Sequence, residues 1–273
     1  MNADGTWSAQ ATLPIPPPEM RRLIGPEDPA EFDNPRGSLV YPHLSPDVYE
    51  RVLDFGCGCG RIARQLIQQV PRPERYLGID LHRGMIAWCR ANLEPAAPGF
   101  EFRHHDVHSV SLNPGVDKPK TLPFPAEDGS FTLVNAWSVF THLTESQAKH
   151  YLREVGRVLA PGGVLNSTWF LFDKRDYPML TDIQNALYTN EYDLSASVIF
   201  DREWVRREAR NAGLTIVQVL PPRIRNFQWT VLMAPSGARA DEVGFPPDEA
   251  PQGAVPASNL PVDANLIGLD ERP

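Results

Sequence analysis

The sequence predicts a doubly wound, mostly parallel α/β sheet, and three observations carry that prediction. Short apolar runs alternate with longer amphipathic stretches from residue 51 onward, which is the rhythm of βαβ units. The first of these runs, 51–55, passes into three alternating glycines, Gly56, Gly58 and Gly60, and then directly into a helical pattern. Acids stand at the ends of three successive predicted strands, Asp54, Asp80 and Asp106. In open parallel sheets, ligands bind just outside the carboxyl ends of the strands.

The elements follow in order. Residues 1–49 read as an N-terminal arm and lead-in: a cluster of prolines (Pro14, Pro16, Pro17, Pro18), then a short helix over 20–24. The α/β domain spans 50–235. Its strands are predicted at 51–55, 76–79, 100–105, 131–137 and 164–172. Helices fall at 60–70, where Ile62, Leu66 and Val70 share one face, and at 83–93 and 144–159. The run 131–137 is apolar almost throughout, as a strand covered on both faces should be. Pro161-Gly162-Gly163 reads as the turn that closes the fourth helix. Residues 173–201 break the alternation and read as a small insertion forming a substrate cap. A helix over 202–212 ends at Gly213, suited to a left-handed C-cap. Strands at 214–220 and 227–233 close the domain. The Pro-rich tail 236–273 is acidic and short of large apolar side chains, a composition that predicts disorder or draping over the surface.

Bulk composition narrows the function. Net charge is −8 and no basic run offers a phosphate footprint, so nucleic acid is not the expected partner. No stretch approaches a membrane span. The three cysteines, Cys57, Cys59 and Cys89, cannot all pair, and no secretory leader precedes them. A cytoplasmic protein with reduced thiols is expected, monomeric or homodimeric.

The glycine loop differs from a nicotinamide fingerprint, which places glycines at positions 1, 3 and 6. Here the sixth position is Arg61 and the third glycine falls at position 5. Asp54 is placed to meet the amino group of an amino-acid moiety. Asp80 lies 20 residues beyond Gly60, where a carboxylate accepts ribose hydroxyls. Asp106 can meet an amino group on adenine.

With these residues in view, the chain resembles the class I S-adenosylmethionine-dependent methyltransferases. The matching stretches are VLDFGCGCG (52–60), YLGID (76–80), HDV (105–107), LPFPAEDGSFTLVNAWSVFTHL (122–143) and YLREVGRVLAPGGVL (151–165). The resemblance implies a Rossmann-like methyltransferase fold, a seven-stranded sheet with its last strand antiparallel. It implies S-adenosylmethionine contacts from Asp54, Gly56, Cys57, Gly58 and Gly60, from Asp80 and Leu81, from Asp106 and Val107, and from Trp137. One departure is Thr132, where the family often has Asp. The lead-in RRLIGPEDPAEFDNPRG (21–37) is similar to a bacterial subgroup of sugar and polyketide-sugar methyltransferases. More narrowly, it resembles mycobacterial enzymes that cap the reducing end of methylmannose polysaccharide precursors.

The resulting expectation is O-methylation of a sugar or oligosaccharide hydroxyl, with N- or C-methylation of a small natural-product scaffold as the alternative. His142, just past the fourth strand, is the candidate general base, with Glu145 as a neighbour able to orient it. Trp169, Tyr177 and Tyr192 are candidates for stacking on the substrate. No metal site is expected: Cys57 and Cys59 lie too close together in a glycine turn to complete a tetrahedral shell. His104 and His108 share a face with Asp106, which already has an adenine role. Mg²⁺ held by carboxylates, as in some sugar methyltransferases, is left open.

Overall fold

The computed structural model describes residues 13–224, 227–237 and 242–245. The strands are β1 Arg51–Phe55, β2 Arg75–Asp80, β3 Phe100–His104, β4 Phe131–Ala136, β5 Leu159–Phe172, β6 Ala186–Tyr188, β7 Val198–Asp201, β8 Leu214–Ile224 and β9 Gln228–Pro235. The α-helices are α1 Pro18–Ile24, α2 Arg61–Gln68, α3 Arg83–Asn92, α4 Glu145–Val158 and α5 Arg202–Asn211. Strand order is β3-β2-β1-β4-β5, continued by β9 and β8. β1 to β5 are parallel, and β9 runs antiparallel to both of its neighbours. The seven-stranded, mostly parallel sheet is therefore present.

Side-chain alternation along the strands divides the core into two layers. One face of the sheet packs on α4 and α5 through Leu53, Val134, Leu165, Val155 and Trp204. The other packs on α2 and α3 and on the lead-in, through Val52, Leu133, Leu66, Cys89, Tyr41 and Tyr49. Strand order reverses between β1 and β4, whose following helices lie on opposite faces. In open parallel sheets the loops after such a pair of strands diverge and form a ligand crevice, so the candidate site is sought there.

Two expectations change. Pro161-Gly162-Gly163 lies inside β5, which starts at Leu159, and the β4–β5 register shifts between Phe131 and Leu133. Gly162, at φ 80°, takes up that irregularity within the strand. The insertion over 173–201 is in part an extension of the sheet. β4 ends at Ala136, opposite Ser167, and leaves the tip of β5 with a free edge. β7 covers that edge in parallel (Phe170↔Ile199, Phe172↔Asp201), and β6 pairs antiparallel to β7.

Most of the tail lies outside the described residues. Its residues 242–245 dock on the domain. The Val243 N–H donates to the Ile216 carbonyl at 2.8 Å, Glu242 pairs with Arg210, and Phe245 packs against the core. Residues 1–12 of the arm also lie outside the described set. The next ones are anchored by the buried Arg64, which donates to the carbonyls of Leu13, Pro14 and Phe32 and pairs with Asp33. Thr132 bonds to the Val48 carbonyl and accepts from the Arg51 N–H, tying β4 to the lead-in.

Candidate active site

β1 ends in Asp54-Phe55, and the chain then turns sharply through Gly56 (φ 79°), Gly58 (φ 54°) and Gly60 (φ 81°) into α2. These left-handed conformations favour glycine, which has no Cβ to clash. A Cβ on Gly56 would also stand 2.4 Å from Val139 Cγ2, and one on Gly58 2.8 Å from Ile24 Cγ2. The loop is thus flanked by the turn after β4 on one side and by α1 on the other.

The loop's own donors are largely spent. Gly56 and Cys57 N–H both donate to the Ile79 carbonyl, Gly58 N–H to Asp80 Oδ2 at 2.9 Å, and Gly60 N–H to the Cys57 carbonyl. A pyrophosphate needs such N–H groups free. This loop suits a ligand that needs close approach to the backbone rather than anion donors, and S-adenosylmethionine, with its sulfonium and no phosphate, fits that requirement. The Cys57 and Cys59 side chains are buried. Burial pushes the Cys57 thiol well up and that of Cys59 to about 12.

Asp80 joins two loops. Oδ2 accepts from Gly58, Oδ1 accepts from His82 N–H at 2.7 Å, and burial raises its carboxyl. Each oxygen keeps a second lone pair, which is what a ribose diol requires. Asp54 differs from the expectation of a direct ligand contact. It is 1% exposed, with Oδ2 accepting from Tyr76 Oη and Oδ1 from Asn135 Nδ2, both at 2.7 Å. Its carboxylate faces the sheet face, not the crevice, because position 54 points into the α2–α3 layer one residue before the turn.

Asp106 is half exposed and already paired. Lys118 Nζ lies 2.8 Å away and Asn113 Nδ2 donates at 3.0 Å, which holds its carboxyl down at about 2. An adenine amino group would share it with that lysine. Val107 is buried, and its N–H is donated to the His105 carbonyl. The Leu81 carbonyl is met by His104 Nε2 at 2.9 Å. His105 turns inward to Tyr151 Oη, and burial pushes its imidazole down to about 4. No group of three His, Cys, Asp or Glu side chains among the described residues is arranged to hold a metal ion.

Past β4 the chain makes a second tight feature. Ser138 has φ 56°, the one positive value at a non-glycine among the described residues, a strained backbone of the kind found at ligand sites. It is held by Thr168 Oγ1, which accepts its N–H at 2.7 Å, and by Gln228 Oε1, which accepts its hydroxyl at 2.9 Å. His142 follows on an exposed turn, with Nδ1 3.2 Å from the Ser195 carbonyl. Glu145 does not orient that ring: its Oε1 accepts from Asn185 Nδ2 at 3.3 Å, and its N–H meets Tyr188 Oη at 3.4 Å. His142 and Glu145 therefore both tie this turn to the insertion.

The aromatic candidates separate. Trp169 is fully buried, stacked on Phe140 at 4.2 Å and donating Nε1 to Ser167 Oγ. It cannot stack on a substrate, because position 169 points into the α4–α5 layer. Tyr177 is 44% exposed, edge-on to Phe172. Tyr192 is 86% exposed and lines an open depression with Tyr188 and Leu194, wholly on the insertion. Trp137, by contrast, is partly exposed just past the end of β4 and stacks on Tyr41 of the lead-in at 5.3 Å.

Sequence reasoning missed Tyr41, His43, Asn135, Asn166, Ser138 and Gln228. The parity of Asn135 with Trp137 was a usable signal for one face; the lead-in residues carried none. No helix of the described residues is long and apolar enough to cross a membrane.

Residues 52–163 match the family profile of a methyltransferase domain. Among solved structures, the chain is similar to an S-adenosylmethionine-dependent methyltransferase from Methanosarcina mazei. Identity is 18%, 73% of this chain and 99% of that one are covered, and the TM-score is 0.47. A second, from Clostridium acetobutylicum, is 14% identical over 70% of this chain and 85% of that one, with a TM-score of 0.48. Human N-acetylserotonin methyltransferase, solved with S-adenosylmethionine, is 14% identical over 71% of this chain and 49% of that one, with a TM-score of 0.49.

Proposed function

We propose that this chain, an S-adenosylmethionine-dependent methyltransferase, transfers the methyl group to a hydroxyl of a sugar or oligosaccharide. When bound, the cofactor supplies an electrophilic methyl group on a sulfonium sulfur. The chain's own residues have three tasks. The Gly56–Gly60 loop lets the cofactor approach the backbone, Asp80 receives the ribose hydroxyls, and the insertion keeps water from the crevice. Arg61, whose cation offsets part of the upward push that burial gives the Asp54 carboxyl, adds positive charge beside the loop for the cofactor's carboxylate.

The observation that carries the hydroxyl reading is the state of His142. A carbonyl only accepts, so the contact with Ser195 puts the ring proton on Nδ1 and leaves the Nε2 lone pair able to take one. An alcohol is a weak nucleophile that gains from such a base. The exposed Tyr177 and Tyr192 of the insertion support a sugar, whose apolar face stacks on aromatic rings. Three free, buried thiols support a reducing, cytoplasmic setting.

The test is transfer from labelled S-adenosylmethionine to panels of glycosides, amines and carbon acids, with products identified by mass spectrometry. A glycoside ether is the expected product; methylation confined to amines or carbon sinks the reading. His142→Ala is expected to lower kcat by ~10²–10⁴-fold, with cofactor affinity within roughly threefold. Turnover within tenfold of wild type would remove His142 as the base.

A further inference from the structure

A line of buried polar side chains crosses four strands on the α2–α3 face. Tyr76 Oη donates to Asp54 Oδ2, Asn135 Nδ2 to Asp54 Oδ1 at 2.7 Å, and Asn166 Nδ2 to Asn135 Oδ1 at 3.1 Å. His43 Nε2 lies 3.2 Å from Asn166 Oδ1. The sheet register places these groups side by side, Asp54 opposite Asn135 and Asn135 opposite Asn166. Asn135 and Asn166 have no exposure at all, and Asp54 has 1%.

The direction of every bond follows from one end. The Asp54 carboxyl, pushed up by burial, accepts at both oxygens, from Tyr76 Oη and from Asn135 Nδ2. Asn135 must therefore turn its amide nitrogen toward Asp54 and its oxygen toward Asn166. Asn166 must in turn donate to Asn135 and show its own oxygen to His43. An oxygen acceptor at that point requires a proton on His43 Nε2. The neutral ring is then left with a lone pair on Nδ1, which makes no hydrogen bond among the described residues.

The backbone around His43 is fixed as firmly as its ring. Tyr49 Oη accepts from the Tyr41 N–H at 2.8 Å and donates to the Tyr41 carbonyl at 3.1 Å, and Gln69 Oε1 accepts the Val40 N–H. The partly exposed His43 ring lies 5.8 Å from that of Tyr41. Tyr41 stacks on Trp137, the residue that leads into the strained Ser138 at the crevice. Buried hydrogen bonds of this kind hold a side chain in one arrangement.

We propose that His43 is a second acceptor-binding residue, its Nδ1 lone pair taking a hydrogen bond from a hydroxyl of the acceptor, with Asn135 and Asn166 as positioning residues that hold its tautomer from Asp54. This rests on the hydroxyl reading of the acceptor. It assigns the lead-in segment to the acceptor side of the site and makes that acceptor a hydrogen-bond donor on the Trp137 wall.

Two measurements test it on the full chain. With ¹⁵N-labelled histidine, the proton–nitrogen correlations of His43 are expected to show the Nε2–H tautomer, lost in Asn166→Leu. An Nδ1–H tautomer in the wild type overturns the chain of bonds. Transfer to a panel of methyl glycosides is measured alongside for three His43 variants, with cofactor affinity as the check on folding. His43→Ala and His43→Phe are expected to raise the glycoside KM by about tenfold or more, the loss of one hydrogen bond to a bound group. His43→Gln, which donates and accepts in the same sense, is expected to stay within about threefold of wild type. A phenylalanine variant as effective as wild type means that the ring only packs, and overturns the proposal. Wild-type protein that methylates amines and no glycoside overturns the hydroxyl reading and the acceptor role together, while the tautomer still decides the chain of bonds.

Discussion

Burial raises the Asp54 carboxyl to about 6 against the pull of hydrogen bonds from Tyr76 and Asn135, and this has a pH signature. Below about pH 4 the group is protonated in folded and unfolded chains alike, and its contribution to stability is fully present. As pH rises toward 6 the folded protein keeps a proton that the unfolded chain gives up, so that contribution is lost; above 6 it changes no further. Relative to Asp54→Asn, the wild type is expected to lose about 2–3 kcal/mol between pH 4 and pH 7. Urea melts of both proteins measure this, and a gap that stays constant with pH would show that Asp54 titrates normally. Gly56 makes a second prediction at this scale. Its left-handed conformation costs a side-chain-bearing residue about 1–2 kcal/mol, and its Cβ would strike Val139. Gly56→Ala is expected to destabilise more in the wild type than in Val139→Ala, where only the conformational cost remains; equal losses in the two backgrounds would rule out the clash. The glycines and Asp80 were readable as residues because their chemistry is local. Trp169 was misassigned because facing depends on strand parity, and one residue's shift exchanges the crevice for the core.

Asp80 shows how a side chain can organise elements. Accepting from Gly58 and His82 at once, it joins the loop after β1 to the start of α3. Asp80→Ala is expected to weaken S-adenosylmethionine by about tenfold or more in calorimetry, since charge-assisted hydrogen bonds contribute about 1.5–3 kcal/mol. Unchanged affinity would move the ribose contact elsewhere. The helices and central strands were legible because hydrophobic periodicity is written within each segment. β6 and β7 were not, since their pairing depends on the edge that β4 leaves open when it ends at Ala136. The same edge brings Ser195 and Asn185 to His142 and Glu145, contacts across 53 and 40 residues of chain that no local pattern records.

Across the whole molecule, the first and the last of the described residues contribute to the domain. Leu13 and Pro14 are held by Arg64, and residues 242–245 lie against β8 and α5. A chain ended at Gly237 is expected to be about 1–2 kcal/mol less stable than one ended at Phe245. It loses the Val243 hydrogen bond and the partial burial of Phe245. Equal denaturation midpoints would show that the docked segment adds nothing. Composition had marked the tail as unable to fill a core, and what docks is a short surface segment held by one backbone donor, one ion pair and one phenylalanine. The sequence by itself determined the sheet class, the glycine turn and the acid that anchors it, because periodicity, backbone freedom and charge act over a few residues. The tertiary structure alone decided that Asp54 faces inward, that Trp169 is core, and that His43 meets Asn166 across 123 positions. Those outcomes depend on register and strand order, which bring distant residues together and which no short stretch of chain encodes.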